Sequence, residues 1–343
     1  MSGGYLYHLR MAAAAPGHSA RIDFVSFPER VFPLGALGAR RVVRRAQQGG
    51  ASAILLDSLA AAFAAPALAR RHIGTPLIGV LHQPPGGIDH GPLRATVQAP
   101  LDRLAWSRAE LLIAASDHLA GQLAADGFPP ARVRVVPPGR DVAASSGPAA
   151  DLRRGRRVAL LSVANWLPRK GVLELLEAFA RLPRESATLH LVGDETASTR
   201  YAARVRARLA EPDVAGRVVL HGRLGAEDVA ALYGSADVFA LPAFREPYGT
   251  VWGEAMAFGL PVVGWRAGNL PYLADDEREA LLAEPGDVDA LARALSRLAF
   301  DDGLRKRLGA AAKRRAAGRP TWAESASLFF AAIREVADRR RSY

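Results

Sequence analysis

Two carboxylates in the second half of the chain are candidates for binding a polar ligand. Glu246 and Glu254 have seven residues between them, in a segment (residues 236–268) rich in proline and glycine. Carboxylate oxygens accept hydrogen bonds, so a pair facing one crevice suits a ligand with several hydroxyl groups. The alternatives are that Glu254 is a surface helix residue and that Glu246 is an ordinary loop carboxylate.

The elements around this pair indicate where it lies in the fold. Residues 237–241 and 261–265 are apolar and predict parallel strands, with a helix between them that begins near Thr250. Loops at the carboxyl ends of such strands bind ligands in α/β proteins. We expect Thr250 to cap the helix and Gly249 to let the backbone approach a ligand. The partial positive charge of the helix N-terminus would suit a phosphate.

A pair of cations follows another predicted strand, residues 158–163. Arg169 and Lys170 precede a glycine and a helix that begins at Val172. A strand, a loop carrying a cation and a helix N-terminus together form an anion site, and Lys170 could hold a diphosphate there. The alternative is a solvated surface pair, which is common for adjacent Arg and Lys.

The first half of the chain offers a histidine and two glycines. His82 ends a buried strand predicted at residues 76–82, where the alternative to a functional role is a structural histidine. Gly3 and Gly4 precede a helix predicted at residues 5–15. We interpret them as a glycine loop, against the alternatives of an unstructured terminus or a helix cap. Asp57 also ends a predicted strand, and we interpret it as a turn or helix-cap residue.

The order of elements predicts an α/β chain with two domains. At 343 residues the chain exceeds the usual size of one core, and predicted strands alternate with helices in both halves. The Pro-, Gly- and Ser-rich residues 137–155 predict a linker. The expected domains are residues 1–145 and 146–320, with a last helix (residues 321–343) returning toward the first. A strand is expected at residues 22–27, and a first strand is expected from an in-frame segment upstream of Met1.

The composition of the chain argues against several classes of function. The chain has a net charge of +11 and a pI of about 10.7, yet it shows no zinc-finger, helix-turn-helix or RNA-binding aromatic motif. It has no cysteine, so disulfides and thiol chemistry are excluded. No secretory signal or run of 18 apolar residues is present. The basic residues 305–319 predict a solvated helix face, with weak docking on anionic lipid as the alternative.

The segment ADVFALPAFREPYGTVWGEAMAFGLPVVGWRAG (residues 236–268) resembles the donor-site signature of retaining glycosyltransferases of the GT-B fold, specifically family 4. The resemblance implies two Rossmann-like, doubly wound parallel-sheet domains facing a cleft. It gives Glu246 contact with the transferred sugar and Glu254 contact with the nucleotide ribose. It also makes Lys170 part of a phosphate-binding turn and places His82 near the sugar. The catalytic residues so implied are His82, Glu246 and Lys170; the substrate-binding residues are Gly3, Gly4, Arg169, Tyr248, Gly249, Thr250, Glu254, Gly268 and Asn269.

The implied reaction moves a sugar from a nucleotide-diphosphate sugar to a hydroxyl acceptor (a glycan, lipid or small molecule) with retention of configuration. No metal, cofactor or specific nucleic acid is expected, and the expected location is the cytoplasm or the inner face of a membrane. The chain departs from the family pattern at Ala164 and Asn165, where an Arg is usual, and at Gly268-Asn269, where a glycine pair is usual. The alternatives are a nucleotide-sugar-binding homologue without turnover and a related GT-B phosphorylase or epimerase.

Overall fold

Buried apolar strands form one parallel sheet in each of two units. The computed structural model describes residues 3–27, 34–70, 74–89, 91–140 and 151–339. One unit comprises Met1–Gly139 with Pro320–Tyr343, and the other comprises Arg140–Arg319. The boundary predicted between residues 145 and 146 lies outside the described residues, as does most of the predicted linker.

The first unit has a four-stranded parallel sheet in the order β1-β2-β3-β4. The two central strands are buried at every position, as expected for apolar runs in a parallel sheet. Its elements in chain order are α1 (Gly3–Ala14), α2 (Ala39–Gln48), β1 (Ile54–Asp57), α3 (Ala61–Ala69), β2 (Leu77–Leu81), α4 (Pro92–Ser107), β3 (Leu111–Ala114), α5 (Asp117–Ala125) and β4 (Val133–Val135).

The strand predicted at residues 22–27 is wrong. These residues have no regular structure, and Phe24 is 59% exposed. Alternating apolar residues form a strand only beside a pairing partner, and within the described residues β1 pairs with β2 alone. Helix α2 was not predicted, because its sequence ARRVVRRAQQ buries only Ala39 and Val43.

The second unit has a six-stranded parallel sheet in the order β10-β9-β8-β5-β6-β7. The chain adds β6 and β7 on one side of β5, then returns to add β8, β9 and β10 on the other side. Its elements are β5 (Val158–Val163), α6 (Val172–Ala180), β6 (Ala187–Val192), α7 (Thr199–Leu209), β7 (Val218–Gly222), α8 (Ala226–Ser235), β8 (Val238–Ala240), α9 (Thr250–Ala257), β9 (Val262–Trp265), α10 (Leu270–Leu273), β10 (Ala280–Ala283), α11 (Val288–Phe300) and α12 (Asp302–Ala317).

This strand order places a topological switch point between β5 and β8, which pair through Leu160 and Val238. In α/β folds, ligands bind at the carboxyl edge of the sheet beside such a point. Lys170 follows β5 and Glu246 follows β8, so the fold brings both candidate residues to this edge.

The basic residues 305–319 lie mainly on α12, whose apolar face is part of the core. Leu304 and Leu308 are buried, so they cannot insert into a lipid surface. Arg315 pairs with Asp275 across the fold. Asp301 accepts a hydrogen bond from the Leu304 N–H and caps this helix.

The last helix, α13 (Trp322–Arg339), belongs to the first unit. Phe329 and Phe330 pack in one core with Tyr7 and Met11 of α1 and with the central strands. Of the helices that the structure describes, none is both long and apolar enough to cross a membrane.

Candidate functional site

Lys170 is held in a tight turn at the switch point. Residues Pro168–Lys170 form a single 3-10 turn, and Gly171 follows with φ at +70°. A Cβ atom on Gly171 would collide with the Pro242 carbonyl oxygen, so only glycine lets the turn lie against the loop after β8. The Phe244 N–H donates to the Arg169 carbonyl at 2.8 Å and ties the two loops together.

Two cations meet one carboxylate across these loops. Lys170 Nζ donates to Glu246 Oε2, and Arg169 Nη1 lies 3.3 Å from the same oxygen. All three side chains are only 12–14% exposed. Burial by itself would raise the pKa of Glu246, but Lys170 and then Arg169 outweigh it, and the pKa lies below its ordinary value. The carboxylate is therefore ionised, and the cluster keeps a net charge of +1.

Gly249 starts the helix that carries Glu254. Its φ is +80°, and a Cβ atom there would collide with the Trp252 ring. The Gly249 N–H donates to Glu246 Oε1 at 3.2 Å, which fixes the second oxygen of that carboxylate. The prediction that Thr250 caps the helix is wrong, because α9 has Gly249 at the cap position and no side-chain cap.

Glu254 is exposed on α9 and is anchored from behind by a buried tyrosine. Tyr233 Oη donates to Glu254 Oε2 at 3.1 Å. Burial, and secondly the negative charge of Glu254, keep the pKa of Tyr233 well above its ordinary value. Tyr233 is therefore a neutral hydrogen-bond donor that holds Glu254 in a fixed orientation.

The turn at Gly268 and Asn269 packs on the backbone of Glu246. The Asn269 N–H donates to the Glu246 carbonyl at 2.9 Å, and the Asn269 side chain donates to the Tyr248 carbonyl at 2.7 Å. Gly268 has a φ of +57°, and a Cβ there would approach the Glu246 carbonyl to 2.6 Å. Tyr248 Oη accepts from Arg319 at 3.2 Å. Five of the residues predicted in the second half of the chain thus lie against Glu246: Arg169, Lys170, Gly249, Gly268 and Asn269.

The positions that depart from the family pattern have structural partners. Asn165 accepts a hydrogen bond from the Asp194 N–H at 3.0 Å, and the Ala164 carbonyl blocks any side chain at Gly193. Neither position supplies a cation. Arg169 lies beside Lys170 and provides the second positive charge.

His82 follows β2 in the first unit and is largely buried. A Cβ on Gly4 would lie 3.2 Å from the His82 ring, so the start of α1 approaches this ring closely. Gly3 and Gly4 are the first residues of α1, and the loop predicted for them is wrong within the described residues. Burial, which outweighs the nearby Asp57 charge, lowers the pKa of His82 to about 4, so the ring is neutral at pH 7.

Sequence reasoning missed two partners of His82. His8 Nε2 lies 2.6 Å from Asp57 Oδ2, and His82 Nε2 lies 3.9 Å from the same oxygen. The predicted turn role of Asp57 is present too, since its Oδ1 accepts from the Leu59 N–H at 2.6 Å. Burial would raise the pKa of Asp57, but the His8 hydrogen bond and the two imidazoles bring it below its ordinary value. The sequence could have indicated Asp57 as a site residue, because it ends a predicted strand. No neighbouring residue or motif indicated His8.

Two family models match the chain, and each matched range lies within one unit. The model described as "Glycosyl transferase 4-like domain" matches residues 6–139, and the model described as "Glycosyl transferases group 1" matches residues 149–315. Their boundaries fall close to those of the two units.

A relative with a curated activity is similar over much of the chain. The MMP alpha-(1->4)-mannosyltransferase of Mycolicibacterium hassiacum is 33% identical over 241 residues, which cover 68% of this chain and 57% of that protein. The chain spans about half the length of the curated relatives it matches.

Solved structures are similar over the whole chain. Sucrose-phosphate synthase from Thermosynechococcus elongatus has a TM-score of 0.81 at 20% identity, covering 98% of this chain and 94% of that one. Anabaena Alr3699/HepE in complex with UDP-glucose has a TM-score of 0.75 at 21% identity, covering 100% and 97%. The chain therefore has the GT-B fold, with a glycosyl transferase 4-like domain in its first unit and a glycosyl transferases group 1 domain in its second.

Proposed function

We propose that the chain transfers a sugar from a nucleotide-diphosphate sugar to a hydroxyl acceptor, with retention of configuration and without a metal or other cofactor, in the cytoplasm. The observation that carries the proposal is the cluster of Lys170, Arg169 and Glu246 at the switch point of the second sheet. Support also comes from the similarity to the mannosyltransferase of Mycolicibacterium hassiacum and from the UDP-glucose complex of the similar structure.

In this proposal Lys170 and Arg169 bind the diphosphate. Both are buried cations at the carboxyl edge of the sheet, where fixed charges act strongly on a bound anion. As the bond to the sugar breaks, negative charge grows on the departing diphosphate. The two cations stabilise that charge, and they are already oriented by the turn at Gly171.

Glu246 changes partners when the donor binds. In the structure its carboxylate accepts hydrogen bonds from both cations, Lys170 and Arg169. A diphosphate carries more negative charge than one carboxylate. The diphosphate therefore takes over Lys170 and Arg169, and Glu246 becomes available to accept hydrogen bonds from the sugar. The Gly249 N–H retains its bond to the other carboxylate oxygen and keeps the side chain in place.

The remaining residues of the second unit position the donor. Glu254 accepts hydrogen bonds from the ribose, in the orientation that Tyr233 fixes. The turn at Gly268 and Asn269 lies against the Glu246 backbone and presents its own backbone to the sugar. Tyr248, Gly249 and Thr250 line the start of α9.

For the first unit, we propose the role that the family resemblance gives to His82, contact with the transferred sugar. Its neutral ring can donate or accept one hydrogen bond, and Gly4 leaves room beside it. The family resemblance is also the ground for proposing that Gly3 and Gly4 contact the substrate. Retention is supported by the resemblance of residues 236–268 to retaining enzymes.

The test is a transfer assay with a panel of UDP-, GDP- and ADP-sugars and hydroxyl acceptors in the presence of EDTA. We expect release of one nucleoside diphosphate, a product with the anomeric configuration of the donor, and a loss of about 10²-fold or more in Lys170→Gln. An inverted product would contradict retention, and loss of activity in EDTA would contradict metal independence. A donor that binds without turnover would favour the binding homologue.

A further inference from the structure

Helix α2 of the first unit presents a group of arginines to solvent. Its ten residues include four arginines and no acidic residue. The four are spaced at i, i+1, i+4 and i+5, so they share one face of the helix, and all of them are exposed: Arg40, Arg41, Arg44 and Arg45. The opposite face buries Ala39 and Val43 against the rest of the unit. The exposed face of α2 is therefore continuously positive.

These four charges are not neutralised within the described part of the chain. No described residue forms an ion pair or a hydrogen bond with any of the four side chains. Elsewhere arginines pair with acids, as Arg297 does with Glu277. Like charges at i and i+4, such as Arg40 and Arg44, repel each other and destabilise a helix. An anionic surface lying over this face would relieve that repulsion.

Exposed apolar side chains lie beside the arginine face. Leu37 is 75% exposed in the 3-10 turn that leads into α2, three and four residues before Arg40 and Arg41. Phe24 is also exposed, and it lines the same cavity of about 580 Å³ as Arg45. Cations next to large exposed apolar side chains are typical of helices that lie in the interfacial region of a membrane.

We propose that α2, together with Leu37 and Phe24, docks the first unit on the surface of an anionic lipid bilayer. The arginines would bind the phosphate groups of the lipids, for which the guanidinium fork is well suited. Leu37 and Phe24 would enter the boundary between headgroups and acyl chains. The contact is peripheral, because a charged helix of ten residues lies on a bilayer and does not cross it.

Helix α12 shows that positive charge alone does not identify this surface. It also carries four exposed cations: Lys306, Arg307, Lys313 and Arg314. Its large apolar residues, Leu304 and Leu308, are buried in the second unit. Helix α12 therefore has cations without an exposed large apolar side chain of its own, whereas the surface at α2 has both.

A nucleic acid is the other polyanion that such arginines could bind. Contacts with its phosphates would use the guanidinium groups alone. Leu37 would gain little against a hydrated sugar–phosphate backbone, but it would lose its exposure to water in a lipid surface. The position of Leu37 beside the arginines therefore favours the bilayer.

The test is sedimentation of the full chain with phosphatidylcholine vesicles, with and without about 30% phosphatidylglycerol. No nucleotide sugar is added, so the result does not depend on sugar transfer. We expect at least about tenfold tighter binding to the anionic vesicles, and weaker binding at about 0.5 M NaCl, where salt screens the charges. Replacing the four arginines of α2 by glutamine should weaken binding at least about tenfold. Leu37→Ala should weaken it about threefold at unchanged charge.

The control replaces the four exposed cations of α12 by glutamine. Each quadruple variant removes four positive charges and lowers the net charge from +11 to +7, and the α12 variant should bind as the wild type does. If the α2 variant fails to fold, as judged by circular dichroism, the double variant Arg40→Gln with Arg44→Gln takes its place. The inference is overturned if the wild type does not bind anionic vesicles, if the two quadruple variants lose equal affinity, or if Leu37→Ala binds as the wild type does. Binding of a DNA duplex through these arginines, without binding to vesicles, would assign the face to nucleic acid instead.

Discussion

At the scale of single residues, Glu246 competes with the proposed ligand for the same two cations. Its carboxylate binds Lys170 and Arg169 and is kept ionised by them. Without a ligand, the Glu246 carboxylate neutralises one of the two positive charges. The two largely buried cations are therefore not left without a partner. The proposed donor would then displace a bound carboxylate, and that exchange would reduce its affinity.

This exchange predicts the effect of Glu246→Gln. Removing the negative charge frees both cations, so a bare nucleoside diphosphate should bind about tenfold more tightly, or about 1.4 kcal/mol. Transfer of the sugar should be lost, because the amide has one accepting oxygen where the carboxylate has two. Calorimetric titration of the nucleotide tests this, with Glu177→Gln as the control, because Glu177 is an exposed residue of α6 that pairs with Arg208. Weaker nucleotide binding in Glu246→Gln would refute the exchange.

At the scale of elements, two loops are held together by a glycine. Gly171 and Gly216 have φ values of +70° and +73°, so alanine is strained at both. A Cβ at Gly171 would collide with the Pro242 carbonyl, whereas nothing lies within 4 Å of one at Gly216. The pair therefore separates the effect of backbone strain from the effect of loop contact.

We expect Gly216→Ala to lower the free energy of unfolding by about 1 kcal/mol and to leave nucleotide binding intact. Gly171→Ala should cost more and should also weaken nucleotide binding, because the turn carrying Lys170 must move. Urea unfolding and nucleotide titration of the two variants measure both effects. If both variants lose the same stability and the same nucleotide affinity, the contact between the two loops does not position Lys170.

Strands β6 and β7 contain a pair of histidines that responds to pH. His190 Nε2 lies 2.8 Å from the Leu152 carbonyl, and its Nδ1 faces His221 Nε2. Burial is the main cause that lowers the pKa of both rings. The positive charge of Arg154 also lowers the pKa of both, and the neighbouring His221 lowers that of His190. With one hydrogen between the facing nitrogens, the folded state holds both rings neutral.

As pH falls below the ordinary histidine pKa of about 6.5, the unfolded chain takes up protons before the folded chain does. The second unit should therefore lose stability from about pH 7 downward, until the folded pKa values are passed. His221→Gln should show a shallower loss. Urea unfolding at pH 7.5, 6.5 and 5.5 measures the slopes, and identical slopes would contradict this account.

The sequence was informative about these elements where a strand is largely buried. The apolar run 158–163 predicted β5 with the observed bounds, and five of its six residues are buried. It was uninformative where a helix carries four arginines and few large apolar residues, as in α2 and α7, and misleading at residues 22–27. Contacts such as Lys170 with Glu246, 76 residues apart, depend on the strand order, which local patterns do not determine.

At the scale of the whole molecule, each unit supplies a separate group of candidate residues. The second unit carries the cations, Glu246 and Glu254; the first carries His82 with His8 and Asp57. The net charge of +11 is consistent with an anionic ligand, although many arginines are engaged in ion pairs on the surface. The central claim is that the second unit binds a nucleotide-diphosphate sugar through Lys170.

The most direct test is thermal and urea unfolding of the wild type and Lys170→Gln with UDP, GDP, ADP and their common sugar conjugates. A ligand at 100 times its Kd should add about 2.7 kcal/mol to the free energy of unfolding. We expect this stabilisation from the nucleotides of one family in the wild type, and we expect Lys170→Gln to lose it. Absence of stabilisation by every ligand, or equal stabilisation of the variant, would contradict it.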